Sequence, residues 1–167
     1  MATPARPVVN PIALKQGEGE ALWFFGALAI IKASSETTAG GMMVMEHLAP
    51  QGAGSPLHVH HREDELFYII EGELTFWIGG KTIKAPAGSF VYGPRGIPHT
   101  YTVTSPQARS LVATRPAGFE KFMRALSEPA AAHTIPPASV PLPSLDRIKA
   151  AAAESGLEIL GPPGIPS

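Results

Sequence analysis

Apolar residues along this chain come in short runs separated by Gly-, Pro- and Ser-rich punctuation. Period-two alternation over runs of this length is the signature of strands with one buried face. The pattern predicts strands over 23–32, 42–48, 66–70, 74–78, 81–85, 89–92, 99–104 and 109–114. Gly79-Gly80 fits a two-residue hairpin turn. Glu71-Gly72-Glu73 breaks one apolar stretch into two and reads as a bulge or bend. Ser34–Gly41 has turn composition, and Ala49–Leu57 reads as a Pro/Gly loop. No strand–helix–strand alternation is present. Many short strands with regular turn signals argue for an antiparallel sandwich or barrel.

Beyond Pro116 the period changes. Phe119, Phe122, Met123 and Leu126 share one helical face, so 119–126 is expected to form a short helix closing one mouth or covering one sheet. The stretch 129–143 is Ala/Pro-rich and reads as irregular. A second helix is expected over 144–155, with Ser144 as N-cap and Gly156 as its stop. Leu157–Leu160 reads as a small strand. Residues 1–20, with Pro4, Pro7 and Pro11, read as an extended arm with a short edge strand at Val8–Leu14.

At 167 residues the chain is long enough for one domain with a sizeable core. Its net charge of −1 provides no basic face, which argues against nucleic acid as a partner. There is no Cys, so disulfides, thiolate metal sites and a cysteine nucleophile are excluded. The apolar run Ala21–Ile31 falls short of the ~20 residues that a membrane span needs. The acidic residues before it do not suit a signal peptide. A cytoplasmic protein is expected.

One stretch concentrates the polar chemistry. His58, His60, His61, Glu63, Asp64 and Glu65 lie within eight residues, at the edge of the apolar run 66–70. On a strand, His58 and His60 share a face and His61 points the other way. Two imidazoles and a nearby carboxylate can chelate a divalent ion, with His99 as the candidate fourth ligand. His61, Glu63 and Asp64 read as a solvated turn, Arg95 as an exposed loop residue, and His47 and His133 as ordinary surface or core histidines.

The spacing is Gly52, five residues, His58-x-His60, four residues, Glu65, six residues, Gly72, followed by Gly88, five residues, Pro94-x-Gly96, two residues and His99. This resembles the two sequence motifs of the cupin superfamily, at the spacing found in small single-domain bacterial cupins. Gly118-Phe119-Glu120-Lys121-Phe122 is similar to a segment of quercetin-dioxygenase-like members. The motifs cover 52–103, and the strand pattern extends the likeness to 22–115. The motif's final Asn is Val103 here, which removes a supporting hydrogen bond and no ligand.

The resemblance implies an all-β fold, an antiparallel double-stranded β-helix of the jelly-roll type. It implies one domain over 1–167, with an arm at 1–20, a barrel core at 22–115 and a helical, Pro-rich extension at 116–167. It further implies one divalent transition metal (Fe, Mn, Ni, Co, Cu or Zn) on His58, His60, Glu65 and His99, and a homodimer. Alternation places Phe67, Ile69 and Tyr101 in the pocket, and the same reading extends to Met43, Met45 and Phe90. The leading expectation is a metal-dependent dioxygenase acting on a small aromatic, phenolic or enolic substrate, with Glu65 as catalytic base. A metal-dependent isomerase, cyclase or lyase is the alternative, as is a non-catalytic binding cupin.

Overall fold

The computed structural model describes residues 9–166. Among the described residues twelve strands form two antiparallel sheets. The first sheet has the order β11-β1-β2-β3-β10-β5-β8. Its members are β1 (Glu20–Phe24), β2 (Ala27–Ala33), β3 (Met43–Pro50), β5 (Asp64–Glu71), β8 (Phe90–Gly93), β10 (Gln107–Arg115) and the two-residue β11 (Glu128–Pro129). The second has the order β12-β4-β9-β6-β7 and contains β4 (Pro56–His60), β6 (Glu73–Ile78), β7 (Lys81–Pro86), β9 (His99–Val103) and β12 (Leu157–Pro163). From β3 to β10 the chain keeps crossing between the sheets, which is the jelly-roll topology.

The core lies between the sheets. Met43, Met45, Phe67, Ile69 and Val112 face Leu74, Phe76 and Val103. Alternation explains the selection. β3 alternates buried and half-buried along its whole length, with Met43, Met45, His47 and Ala49 on the inner face.

Three helices complete the described chain: α1 (Ser35–Thr38), α2 (Phe119–Leu126) and α3 (Leu145–Ser155). α2 buries Phe119, Phe122, Met123 and Leu126. Ser144 caps α3 through a hydrogen bond from the Arg147 amide, and Gly156 ends it at φ 74°.

Several expectations need correction. The run 23–32 is not one strand. It splits into the β1–β2 hairpin at Phe25-Gly26, whose φ values of 48° and 76° make a tight turn. Val9–Leu14 carries no strand, and the rest of the expected arm, residues 1–8, lies outside the described residues. The turn at Ser34–Gly41 contains α1, and the two-residue β11 ends at Pro129, the first residue of the stretch expected to be irregular, which carries no helix or strand from 130 to 143. β12 is longer than the Leu157–Leu160 strand and pairs with β4 beside its histidines.

Candidate metal centre

β4 aims His58 and His60 into the space between the sheets because they are two residues apart. β9 pairs with β4 so that His99 lies directly opposite His58, with ring centroids 4.4 Å apart. Glu65 arrives from the facing sheet on β5. All four side chains are buried, and one potential ligand atom from each lies within 4.8 Å of the others. The centre therefore spans both layers, with three imidazoles from one sheet and a carboxylate from the other.

Backbone contacts set the ring orientations. Nδ1 of His58 lies 2.8 Å from the Pro56 carbonyl, and Nδ1 of His99 lies 2.9 Å from the Ile97 carbonyl. An N–H at Nδ1 donates in each case and turns Nε2 toward the centre, where Nε2 of His99 meets the Glu65 carboxylate at 3.0 Å. Glu63 supports His60 from the same side, its carboxylate 3.4 Å from Nδ1. Nε2 of His60 is buried without a hydrogen-bond partner. A lone pair in that condition costs free energy unless something occupies the centre. Three neutral nitrogens and one carboxylate are a donor set for a divalent transition ion, so the residues present fit such a metal.

The four groups are electrostatically coupled. Burial, reinforced by the neighbouring histidines, lowers His58 to about 3. Burial alone would raise Glu65, but the hydrogen bond from His99 and the surrounding imidazoles bring it down to about 2. Burial also opposes charge on His99, yet its 3.0 Å contact with Glu65 outweighs that and raises its pKa.

The inner cavity beside these residues is small, about 50 Å³. Met45, His47, Phe67, Tyr101, Phe119 and Ile159 are among its walls. An outer apolar compartment of about 670 Å³ adjoins it and shares Phe25, Pro56 and Ile159. Of the residues expected in the pocket, Phe67, Tyr101 and Met45 line the inner cavity. Met43 and Ile69 are fully buried in the core and do not line it. Phe90 is corrected: it is 62% exposed on the outer face, because β8 turns Val91 and Gly93 inward.

Glu63, expected in a solvated turn, is only 2% exposed. His61 does face solvent, 3.0 Å from Glu158. Asp64 pairs with Arg95 at 2.8 Å, which holds its carboxyl well below the usual range. Among groups not expected in the cavity are His47, Phe119 and Phe122. The alternation that turned Met43 and Met45 inward was signal enough to find His47.

Two facing sheets with a histidine–carboxylate cluster between them define the metal-binding class of jelly-roll proteins. Within that class this chain carries a cupin domain: the family model described as "Cupin domain" matches residues 44–114. Over 126 residues, 75% of the chain, it is 32% identical to quercetin 2,3-dioxygenase of Bacillus subtilis and spans 37% of that relative's length. An RmlC-like cupin from Shewanella frigidimarina superposes with a TM-score of 0.54 at 19% identity, over 62% of this chain and 89% of that one. Pac13, a nucleoside dehydratase from Streptomyces, gives 0.54 at 14% identity, over 65% and 84%. At such identities these two structures establish the fold alone. Among the described residues no helix is long and apolar enough to cross a membrane.

Proposed function

We propose that this chain is a metal-dependent dioxygenase acting on a small aromatic, phenolic or enolic substrate. The observation that carries the reading is the convergence of His58, His60, Glu65 and His99, with the His60 Nε2 lone pair buried and unpartnered. The likeness to a quercetin 2,3-dioxygenase supports the reaction class. These four residues would hold one divalent ion, which when bound supplies Lewis acidity and a place to orient an acidic substrate oxygen.

The chain's own residues do the rest. The Pro56 and Ile97 carbonyls and the Glu63 carboxylate fix the three rings. Phe67, Phe119 and Ile159 exclude water from the reacting end. Glu65 is ionised throughout the neutral range and accepts the substrate proton on a carboxylate oxygen. A carboxylate whose pKa lies near 2 is a weak base, which suits an enol or phenol better than an aliphatic alcohol.

The test begins with metal content. Purified protein should carry near one equivalent of a transition metal, and a His58→Ala/His60→Ala double variant should carry little. Oxygen uptake over a panel of flavonols and enediols then reads the reaction. Turnover without oxygen uptake would move the assignment to an isomerase, cyclase or lyase. Binding without turnover would leave a non-catalytic cupin. A homodimer belongs to the same reading. The exposed Phe90, Tyr92 and Tyr68 on the outer face of β8 and β5 are the apolar surface it would cover. Monomeric behaviour at micromolar concentration would end that part alone.

A further inference from the structure

The four-residue cluster leaves two polar side chains of the inner cavity unused. His47 comes from β3 in the first sheet and is 5% exposed. Tyr101 comes from β9 in the second. Their rings meet edge-on with centroids 6.1 Å apart, and both line the same small cavity as His58 and Glu65. Neither side chain makes a hydrogen bond among the described residues. Both therefore present unpaired hydrogen-bonding groups to that cavity. A core built only for packing would place Phe or Leu at both positions. Two such groups bordering one cavity from opposite sheets can both be reached by a group that enters it.

The chemistry of that third group can be narrowed. Burial lowers His47 to about 4, so its imidazole is neutral, with one N–H donor and one acceptor nitrogen. A phenol carries its proton at neutral pH, so Tyr101 can donate. The pair offers hydrogen bonds without charge. It suits a carbonyl or hydroxyl oxygen and not a second carboxylate or a phosphate. An inner cavity of about 50 Å³ admits only the oxygen-bearing end of a ligand. Two oxygens reaching both the cluster and the pair within that volume must be neighbours. The rest of the molecule belongs in the adjoining 670 Å³ compartment, whose walls include Leu142, Ile148 and Leu160, and is therefore apolar.

We propose that His47 and Tyr101 grip an uncharged oxygen of the substrate while its neighbouring oxygen reaches the His58–His60–Glu65–His99 cluster, which selects molecules with two adjacent oxygens on an apolar body, such as hydroxyenones and catechols. The inference rests on the metal reading above and adds a substrate-contacting pair to it.

The experiment uses protein loaded with cobalt(II), whose visible absorption reports changes at the metal. Nitrocatechol is titrated as the two-oxygen probe and nitrophenol as the one-oxygen control. His47→Phe and Tyr101→Phe should load cobalt like the parent, bind nitrocatechol about tenfold more weakly and leave nitrophenol binding unchanged. His47→Gln, which keeps a donor and an acceptor, should recover most of the affinity and serves if His47→Phe does not fold. Equal nitrocatechol affinity in parent and variants overturns the proposal, as do equal losses for both probes, which would mark a packing effect. If cobalt does not load, the metal reading falls, and the pair is judged by calorimetry on the metal-free protein. There the same ranking of variants supports it, and no discrimination or no binding overturns it.

Discussion

Glu63 is 2% exposed, and its carboxylate lies 3.4 Å from Nδ1 of His60. A carboxylate behind a metal-binding imidazole fixes the ring's tautomer and raises its basicity, and losing it commonly costs about 10–100-fold in metal affinity. Glu63→Ala is therefore expected to bind metal at least about tenfold more weakly, with Glu63→Gln intermediate. A competition titration against a chromophoric chelator reads both, and unchanged affinity would reduce Glu63 to a packing role. The ligand candidates themselves were legible, because His58 and His60 share a strand face and Glu65 and His99 sit at motif spacing. Glu63 was not. It belongs to the polar run 61–65, and its burial depends on a distant segment: a Cβ on Gly118, just before α2, would lie 3.1 Å from its Oε1. His47 was legible by alternation with Met43 and Met45 but was read as an ordinary histidine, since nothing local says what lies across the cavity. Phe90 was misread because four residues of strand do not fix which parity faces inward.

β5 and β6 look like one interrupted strand in sequence, yet they belong to different sheets. Gly72 makes the crossing at φ 77°, where a side chain is strained by roughly 1–2 kcal/mol before any contact is counted. A Cβ there would also collide with the carbonyl oxygen of Gln107 and, at 2.5 Å, with Oγ of Ser105. Gly72→Ala should thus destabilise by more than about 2 kcal/mol and lower Tm by several degrees. Thermal unfolding checks this, with Gly80→Ala, whose Cβ would meet nothing within 4 Å, as the control that carries the φ cost alone. Equal losses would mean the Gln107 and Ser105 contacts give way easily. The elements thus divide by the range of their causes. Strand periodicity, the Gly79-Gly80 hairpin and both caps of α3 are local and were legible. Sheet membership and the pairing of β12 onto the histidine strand depend on partners far along the chain, while the hairpin in the 21–31 run is local but hidden by the apolar residues on both sides of Phe25-Gly26.

For the whole molecule, the buried groups predict how metal-free protein responds to acid. His58 and His47 are lowered from 6.5 to about 3 and about 4, and Glu65 from 4.5 to about 2. Between each pair of values the unfolded chain holds a proton that the folded chain refuses, so stability falls as pH falls through that window. His99 has the opposite sign: its raised pKa contributes stability below 6.5 that is lost as pH rises through the folded value. Two histidines and a carboxylate outweigh one histidine, and each pKa unit is worth about 1.4 kcal/mol. Chemical unfolding of metal-free protein should therefore show a loss on the order of a few kcal/mol between about pH 7 and about pH 4. His47→Gln should flatten that slope, because it removes one of the two histidines that must stay neutral to remain buried. Bound metal should steepen it, since protons then compete for the three imidazoles as well. Stability that is flat or rising over the same range would mean the histidines are hydrated in solution, and the dry, two-sheet metal cavity would have to be abandoned with them.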